Sequence, residues 1–196
     1  MWKKAEDFLS KDKYIGPLIK KYGKCTLRPR PKKEYFEDLV DAIVQQQLSL
    51  AAAATIFKRV KESVGGEVVP DRILRKRDET LRKCGLSYSK VSFIKDLSKK
   101  VKSRELKLNK LSKLSDEEVM EELIAVKGIG GWTAEMFLMF SLARPDIFPV
   151  DDMGLQNAFK KLIGRNTKPE TMAKLAGRWK PYRTIASWYI WRSLEN

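Results

Sequence analysis

Apolar residues recur along the chain at helical spacing, and alternating runs typical of strands are scarce. The pattern therefore predicts an all-α protein. We expect short amphipathic helices over residues 1–23, with Phe8, Leu9, Ile15, Leu18 and Ile19 facing inward. A Pro-rich basic connector follows over residues 24–33, and longer helices begin near residue 34. The polar run at residues 45–49 interrupts an otherwise apolar helical pattern.

Two capping-box sequences predict where helices begin. Ser115 is followed at the third position by Glu118, and Thr167 is followed in the same way by Glu170. We expect one helix to start at each site. The helix that starts at Ser115 is expected to end at Gly128, and the next to begin near Trp132.

The charge balance indicates a polyanionic partner. The 196 residues include 40 Lys and Arg against 25 Asp and Glu, which gives a formal charge of +15. Nucleic acid or an anionic membrane would suit this excess, and a Lys-rich solubilising surface is the alternative. No apolar run approaches the roughly 20 residues needed to span a bilayer, and the charged N-terminus does not resemble a secretory signal. We therefore expect an intracellular protein.

The chain contains no histidine and two cysteines. This excludes an imidazole base, a His metal ligand and a Ser-His-Asp triad. Cys25 and Cys84 cannot by themselves build a four-cysteine zinc or iron–sulfur site. An enzyme with this composition would have to use carboxylate, Lys, Tyr or Cys.

The segment from Leu123 to Ala134, with the pattern L-x-x-V-x-G-I-G-x-x-T-A, joins two predicted helices through Gly128-Ile129-Gly130. Glycines around one apolar residue allow a sharp turn beside a helix N-terminus, where exposed amides can meet a phosphate. Ile129 would pin the turn to the core. An ordinary αα-hairpin with a glycine turn is the simpler interpretation.

Downstream, the apolar residues 147–150 lead into Asp151 and Asp152. Asp152 is well placed as a helix N-cap, with Leu155 on the buried face of the new helix. For an isolated aspartate, capping alone would be the better explanation. This one follows Gly130 by 22 residues, and that spacing suggests more than a cap.

Together, the hairpin and the aspartate resemble the helix-hairpin-helix/Gly-Pro-Asp superfamily of DNA glycosylases. The resemblance is closest to the 3-methyladenine DNA glycosylase II (AlkA-like) branch and spans roughly residues 34–194. It implies one domain over residues 1–196, with two helical lobes flanking a DNA-binding cleft. The helix-hairpin-helix motif would occupy about residues 116–142, and the short helices of residues 1–33 would complete one lobe.

The resemblance also implies the catalytic group. In this branch the second of two adjacent acids is catalytic, which corresponds to Asp152, or to Asp151 if the register shifts by one. A fixed carboxylate would stabilise the positive charge that develops on the sugar as the N-glycosidic bond breaks, and would orient or deprotonate water.

The resemblance assigns a DNA-binding role to the hairpin. Its implied DNA-contacting residues are Gly128, Ile129, Gly130, Gly131 and Thr133. The main chain of Val126 and Gly128 would hold a monovalent cation, Na⁺ or K⁺, against the phosphate. No other cofactor is expected.

Trp132 stands where bifunctional members of the superfamily have a Schiff-base lysine, which implies hydrolysis without strand cleavage. Trp132 and Trp191 are expected to line the base pocket, where aromatic faces attract cationic alkylated bases. Met136 replaces a family tyrosine there, which puts the range of bases in doubt. Trp179 and Trp188 are expected to pack in the core.

The polar run resembles a family segment, Q-Q-x-S, whose tip inserts into the duplex to replace an extruded base. Gln46 and Gln47 are the candidate wedge residues, and Ser49 lies beside them. Lys90, in a second loop of family type, is a candidate phosphate contact, with a solvated lysine as the alternative.

The expected partner is duplex DNA containing damaged bases, bound by a monomer, and not a membrane. The leading hypothesis is a glycosylase for alkylated bases. A glycosylase for deaminated or oxidised bases on the same scaffold is one alternative. The other is a helix-hairpin-helix module that binds DNA without catalysis.

Overall fold

The computed structural model describes residues 1–164 and 167–194, and this part of the chain is helical with no strand. None of its helices is long and apolar enough to cross a membrane. The α-helices are α1 (Lys3–Leu9), α2 (Ile15–Tyr22), α3 (Tyr35–Gln45), α4 (Leu50–Ser63), α5 (Pro70–Leu74), α6 (Asp78–Lys83), α7 (Tyr88–Lys102), α8 (Leu108–Leu111), α9 (Asp116–Ile124), α10 (Gly131–Met136), α11 (Met153–Ile163), α12 (Pro169–Ala176) and α13 (Arg183–Arg192). The all-α prediction is confirmed.

The chain divides into two compact units, which we call the terminal unit (residues 1–29 and 138–196) and the central unit (residues 30–137). In the terminal unit, α13 packs against α2 and α11. Its core buries Leu9, Ile15, Phe159, Trp179 and Tyr189. The N-terminal helices thus complete the unit to which the C-terminal helix belongs.

One predicted core residue of the terminal unit lies outside the core. Phe8 is 43% exposed, so its predicted inward orientation is wrong. Its ring instead meets the ring of Tyr182 edge-on, with the centroids 5.7 Å apart. The helix α1 ends at Leu9, and a seven-residue helix can bury only a narrow stripe, which Ala5 and Leu9 occupy.

In the central unit, α7 packs against α5, α3 and α6, and α3 also packs against α4. The apolar faces of α3 and α7 are fully buried, as Leu39, Ile43, Ile94 and Leu97 show. Tyr35 at the start of α3 meets Phe137 edge-on, with the ring centroids 5.2 Å apart. The long helix α7 therefore lies at the centre of this unit, and residues of its first turns contact the candidate functional site.

The two predicted capping boxes have different outcomes. Ser115 and Glu118 form a complete capping box at the start of α9, as predicted. The second one is wrong, because α12 has Lys168 as its N-cap and begins at Pro169. A proline is favoured at the first helical position, since it has no N–H to leave unsatisfied, and this preference sets the boundary one residue later than predicted.

Candidate functional site

The hairpin between α9 and α10 has the geometry that the glycine pattern predicts. Gly128 adopts a φ of +82°, in the left-handed region. A Cβ built there would lie 2.1 Å from Cδ2 of Phe93 on α7. A side chain is therefore excluded at Gly128 both by backbone conformation and by the close packing of the turn against α7.

Gly130 is subject to neither of these two constraints. Its backbone is extended (φ −97°, ψ 178°), and a Cβ built on it would meet nothing within 4 Å. It is exposed and caps the N-terminus of α10, where the first N–H groups of a helix have no intrahelical acceptor. The positive end of the helix is therefore open to an anion at this glycine.

Two hairpin residues predicted to contact DNA have buried side chains. Ile129 is 4% exposed and Thr133 is 2% exposed. Ile129 thus pins the turn to the core, as predicted. Thr133 uses its hydroxyl inside the protein, where Oγ1 accepts a hydrogen bond from Nε2 of Gln46 at 3.1 Å. A phosphate could therefore contact these two residues only through the main chain.

We call residues 46–49 the wedge segment. It follows α3, and its first residue faces the hairpin. Besides its bond to Thr133, Nε2 of Gln46 donates to the carbonyl of Gly128 at 2.9 Å. To act as the wedge predicted for it, Gln46 would have to give up both of these hydrogen bonds. Gln47 is exposed and has a φ of +57°, so it occupies the tip of the turn.

Leu48 is a wedge candidate that the sequence pattern missed. It is 40% exposed and lies beside Gln47 at the tip of the turn. An apolar residue inside a polar run was the available signal. Ser49 ends the segment as the N-cap of α4, where its Oγ accepts a hydrogen bond from the N–H of Ala52 at 3.3 Å.

The ammonium group of Lys90, a partly buried residue, is directed at main-chain carbonyls at the C-terminal end of α3. Nζ donates to the carbonyls of Val44 and Gln46, at 2.7 Å each. Burial lowers the pKa of the Lys90 ammonium below its ordinary value. In this arrangement Lys90 neutralises the C-terminal end of α3, and the phosphate contact proposed for it would require breaking both hydrogen bonds.

The two carbonyls that we expected to hold a monovalent cation already accept hydrogen bonds. The carbonyl of Val126 accepts from the N–H of Ile129 at 3.1 Å, and that of Gly128 accepts from Gln46. A cation would have to share both oxygens with these donors. Each carbonyl keeps a second lone pair, so the monovalent-cation site stays a prediction.

In the terminal unit, Asp152 is the N-cap of α11, as predicted. Its Oδ1 accepts a hydrogen bond from the N–H of Leu155 at 2.6 Å, and Leu155 is fully buried. The same oxygen accepts a second bond from Nε1 of Trp191 at 2.9 Å. Two N–H donors thus fix the orientation of a partly exposed carboxylate at a helix N-terminus. Asp151 lies in the preceding turn and is exposed.

Besides its hydrogen bond to Asp152, Trp191 is in contact with another aromatic ring and lies close to a glycine. Phe140 lies against it, with the ring centroids 5.7 Å apart and the planes tilted by 36°. A Cβ built on Gly154 would come within 3.4 Å of Nε1 of Trp191 and 3.1 Å of Oδ1 of Asp152. Gly154 therefore allows the indole to reach the start of α11.

Phe140 is a second residue that sequence reasoning missed. It is 39% exposed and lies in a π-helical turn, Phe137–Ser141, that continues α10. A π-helical turn inserts one residue and rotates the following side chains, so a regular helical period misplaces them. Such turns are frequent at functional sites, and this one places an exposed aromatic ring against Trp191.

The other predicted pocket and core residues are distributed as follows. Trp132 and Met136 lie one turn apart on α10 in the central unit, and both are partly buried. Trp179 is 1% exposed and packs in the core, as predicted. Trp188 is only partly buried, and the guanidinium of Arg192 lies 5.4 Å from its ring centroid.

Comparison with known proteins places these features in a family. Residues 40–181 match the family model described as HhH-GPD superfamily base excision DNA repair protein. The alkylbase DNA glycosidase-like protein of Schizosaccharomyces pombe is 37% identical over 198 residues, which cover 97% of this chain and 93% of that protein.

Solved structures agree with the sequence match. The 3-methyladenine DNA glycosylase of S. pombe, in complex with abasic DNA, has a TM-score of 0.86 and 34% identity, covering 98% of this chain and 97% of that one. The DNA-3-methyladenine glycosidase of Bacillus halodurans has a TM-score of 0.84 and 36% identity, covering 97% and 88%. The chain therefore belongs to the HhH-GPD superfamily of base excision DNA repair proteins.

Proposed function

We propose that this protein is a monofunctional DNA glycosylase that hydrolyses the N-glycosidic bond of alkylated bases, of the 3-methyladenine type, in duplex DNA. The observation that carries the proposal is the carboxylate of Asp152, held at a helix N-terminus by Leu155 and Trp191. The names of the relatives support the substrate class, since they are described as 3-methyladenine and alkylbase glycosylases.

The reaction requires little from the protein beyond an anion held in a fixed position. Cleavage of the bond between base and sugar develops positive charge on the deoxyribose, as in other glycosidic hydrolyses. Asp152 stabilises that charge and orients or deprotonates the attacking water. An alkylated purine already carries positive charge and leaves readily. This accounts for a mechanism in a chain without histidine.

The absence of a lysine at residue 132 supports hydrolysis without strand cleavage. Trp132 occupies the position at which a Schiff-base lysine is expected in bifunctional members. Lys127 lies on the other side of the glycine turn, where its Nζ donates to Oγ of Ser92 at 3.2 Å. It is thus engaged with α7.

The remaining elements follow from the same proposal. Gly128, Gly130 and Gly131 present main-chain amides to a phosphate of the duplex, and Gln47 with Leu48 fills the space left by an extruded base. The resemblance supports Trp132, Met136 and Trp191 as residues that contact that base. The protein acts on DNA inside the cell as a monomer, and its charge of +15 favours duplex binding.

One assay distinguishes this function from its alternatives. The protein is incubated with methylated DNA and with duplexes that contain hypoxanthine, uracil or 8-oxoguanine, and free base and strand breaks are measured separately. We expect release of methylated bases with no strand break until alkali is added. Preference for another lesion would support the alternative glycosylases. Binding without release of any base would leave only a DNA-binding module.

A further inference from the structure

The wedge segment needs external support to keep its shape. The helix α3 ends at Gln45, and Gln46 leaves the helical conformation with φ −50° and ψ 127°. Gln47 then takes a left-handed φ of +57°, which residues with a side chain adopt reluctantly. The side chains of Gln47 and Leu48 are exposed, and within the tip the turn is closed by a main-chain hydrogen bond from the N–H of Leu48 to the carbonyl of Gln45 at 3.1 Å.

Lys90 supplies that support from a neighbouring helix. It is the third residue of α7, and its Nζ donates to two carbonyls on either side of the last residue of α3, those of Val44 and Gln46. Terminal carbonyls of a helix have no intrahelical donor and carry the negative end of the helix dipole. One ammonium group thus fixes the point at which α3 turns into the wedge segment.

The same turns of α7 hold the hairpin. Phe93 lies directly against Gly128, at the distance at which a Cβ would overlap its ring. The carboxylate of Asp96 accepts a hydrogen bond from the N–H of Lys127 at 3.0 Å. Within seven residues, α7 therefore contacts both DNA-facing elements of the central unit, the wedge segment through Lys90 and the hairpin through Phe93 and Asp96.

Gln46 closes this arrangement. Its main-chain carbonyl receives Lys90, while its side-chain amide donates to the carbonyl of Gly128 and to Thr133. The wedge segment and the hairpin are therefore joined to each other as well as to α7. No part of this network uses the terminal unit.

We propose that Lys90 is a positioning residue that fixes the wedge segment relative to the hairpin, so that the inserted side chain and the gripped phosphate are held at a set spacing. This inference rests on the proposed function. A positioning role of Lys90 differs from a phosphate contact in one consequence. Loss of the ammonium group then impairs base extrusion and excision but leaves the number of neutralised phosphates unchanged.

The test compares Lys90→Met, which keeps an apolar stem of similar length, with Lys99→Met, an exposed lysine later in the same helix. Binding to undamaged duplex is measured over a range of salt concentrations, and excision is measured under single-turnover conditions. We expect Lys90→Met to slow excision at least about 10-fold with an unchanged salt slope. Lys99→Met should leave excision unchanged. A slope shallower by about 0.9 in Lys90→Met would identify a phosphate contact and overturn the proposal.

Two further measurements separate positioning from a general loss of structure. Fluorescence of 2-aminopurine placed beside the lesion reports base extrusion, and it should fall in Lys90→Met at protein concentrations that saturate the duplex. Lys90→Arg can still donate to both carbonyls, so it should recover most of the extrusion signal and of the rate. Equal impairment of the Arg and Met variants would contradict the proposal.

Failure of the proposed function would be distinguishable from failure of this inference. If the wild-type protein releases no base, the glycosylase assignment fails, while amide hydrogen exchange still tests the network without any substrate. Exchange at residues 46–49 should then accelerate in Lys90→Met and not in Lys99→Met. If Lys90→Met does not fold, Lys90→Gln, whose shorter neutral side chain cannot place an ammonium group between the two carbonyls, should give the same acceleration. Unchanged exchange in the variant that folds would overturn the proposal.

Discussion

The indole N–H of Trp191 donates to Oδ1 of Asp152 at 2.9 Å, and the same oxygen caps α11 through the N–H of Leu155 at 2.6 Å. The two donors approach one carboxylate oxygen from different helices of the terminal unit. Trp191 therefore has a second role beside the base contact that we propose for it. It also orients the carboxylate on which the proposed chemistry depends.

Replacement of Trp191 by Phe separates these two roles, because it keeps an aromatic face and removes the N–H. A hydrogen bond to a charged group contributes about 1.5–3 kcal/mol, so we expect single-turnover excision to fall at least about 10-fold. Trp188→Phe is the matched control, since Trp188 packs against Tyr189 and Arg192 instead. If Trp191→Phe excised base at the wild-type rate, the hydrogen bond to Asp152 would be dispensable.

The two hairpin glycines should respond differently to alanine. At Gly128 the left-handed φ and the overlap with Phe93 oppose a methyl group, and we expect the free energy of unfolding to fall by about 2–4 kcal/mol. At Gly130 the space is open, so stability should stay within about 0.5 kcal/mol of wild type.

DNA binding completes the comparison of the glycines. The methyl group of Gly130→Ala would stand where a phosphate approaches the amides of α10, so we expect the affinity for duplex to fall about 10-fold in a stable protein. Chemical denaturation and fluorescence anisotropy measure the two effects. If Gly130→Ala were destabilised, or bound DNA with wild-type affinity, the claim that the hairpin is open to a phosphate at Gly130 would be contradicted.

These glycines also show how far the sequence determines the site. The pattern around Gly128 and Gly130 predicted the turn, and the acidic pair predicted the N-cap at Asp152, because both depend on short-range backbone chemistry. The partners of these residues depend on tertiary contacts. Nothing in a single sequence indicates that Phe93 lies against Gly128, or that Trp191 reaches Asp152 past Gly154.

The roles of the polar residues near the wedge segment cannot be read from the sequence alone. Gln46, Gln47 and Lys90 have the same appearance in sequence whether they face DNA or the protein. The structure engages Gln46 and Lys90 internally and leaves Gln47 exposed. Phe140 was missed because the π-helical turn breaks the period on which prediction relies.

Binding to duplex DNA should weaken steeply with salt. The chain carries a formal charge of +15, and each phosphate that it neutralises adds about −0.9 to the slope of log affinity against log salt concentration. For contacts with several phosphates we expect a slope of about −3 or steeper on undamaged duplex, measured by anisotropy. A nearly flat response would contradict the role assigned to the charge.

Alkaline pH should destabilise the terminal unit through Cys25. Burial raises the pKa of this thiol from 9.0 to about 11. Because the folded protein holds the proton more tightly than the unfolded chain, this contribution to stability is complete below pH 9 and is lost as the pH rises from 9 to 11.

Denaturation of wild type and Cys25→Ser across this range measures the effect. The serine hydroxyl does not titrate in this range. The unfolding free energy of wild type should therefore fall relative to that of Cys25→Ser between pH 9 and 11. Below pH 8 the difference should be constant. If the unfolding free energies of the two proteins changed in parallel over the whole pH range, burial would not raise the pKa of the Cys25 thiol.

The most direct test of the account is single-turnover release of methylated base by Asp152→Asn and Asp151→Asn. Asparagine keeps a side-chain oxygen that can cap α11, so the fold and the affinity for duplex should be retained. We expect Asp152→Asn to release base at least about 100-fold more slowly than wild type, and Asp151→Asn to remain within a few-fold. Wild-type release by Asp152→Asn would contradict the assignment of the catalytic carboxylate.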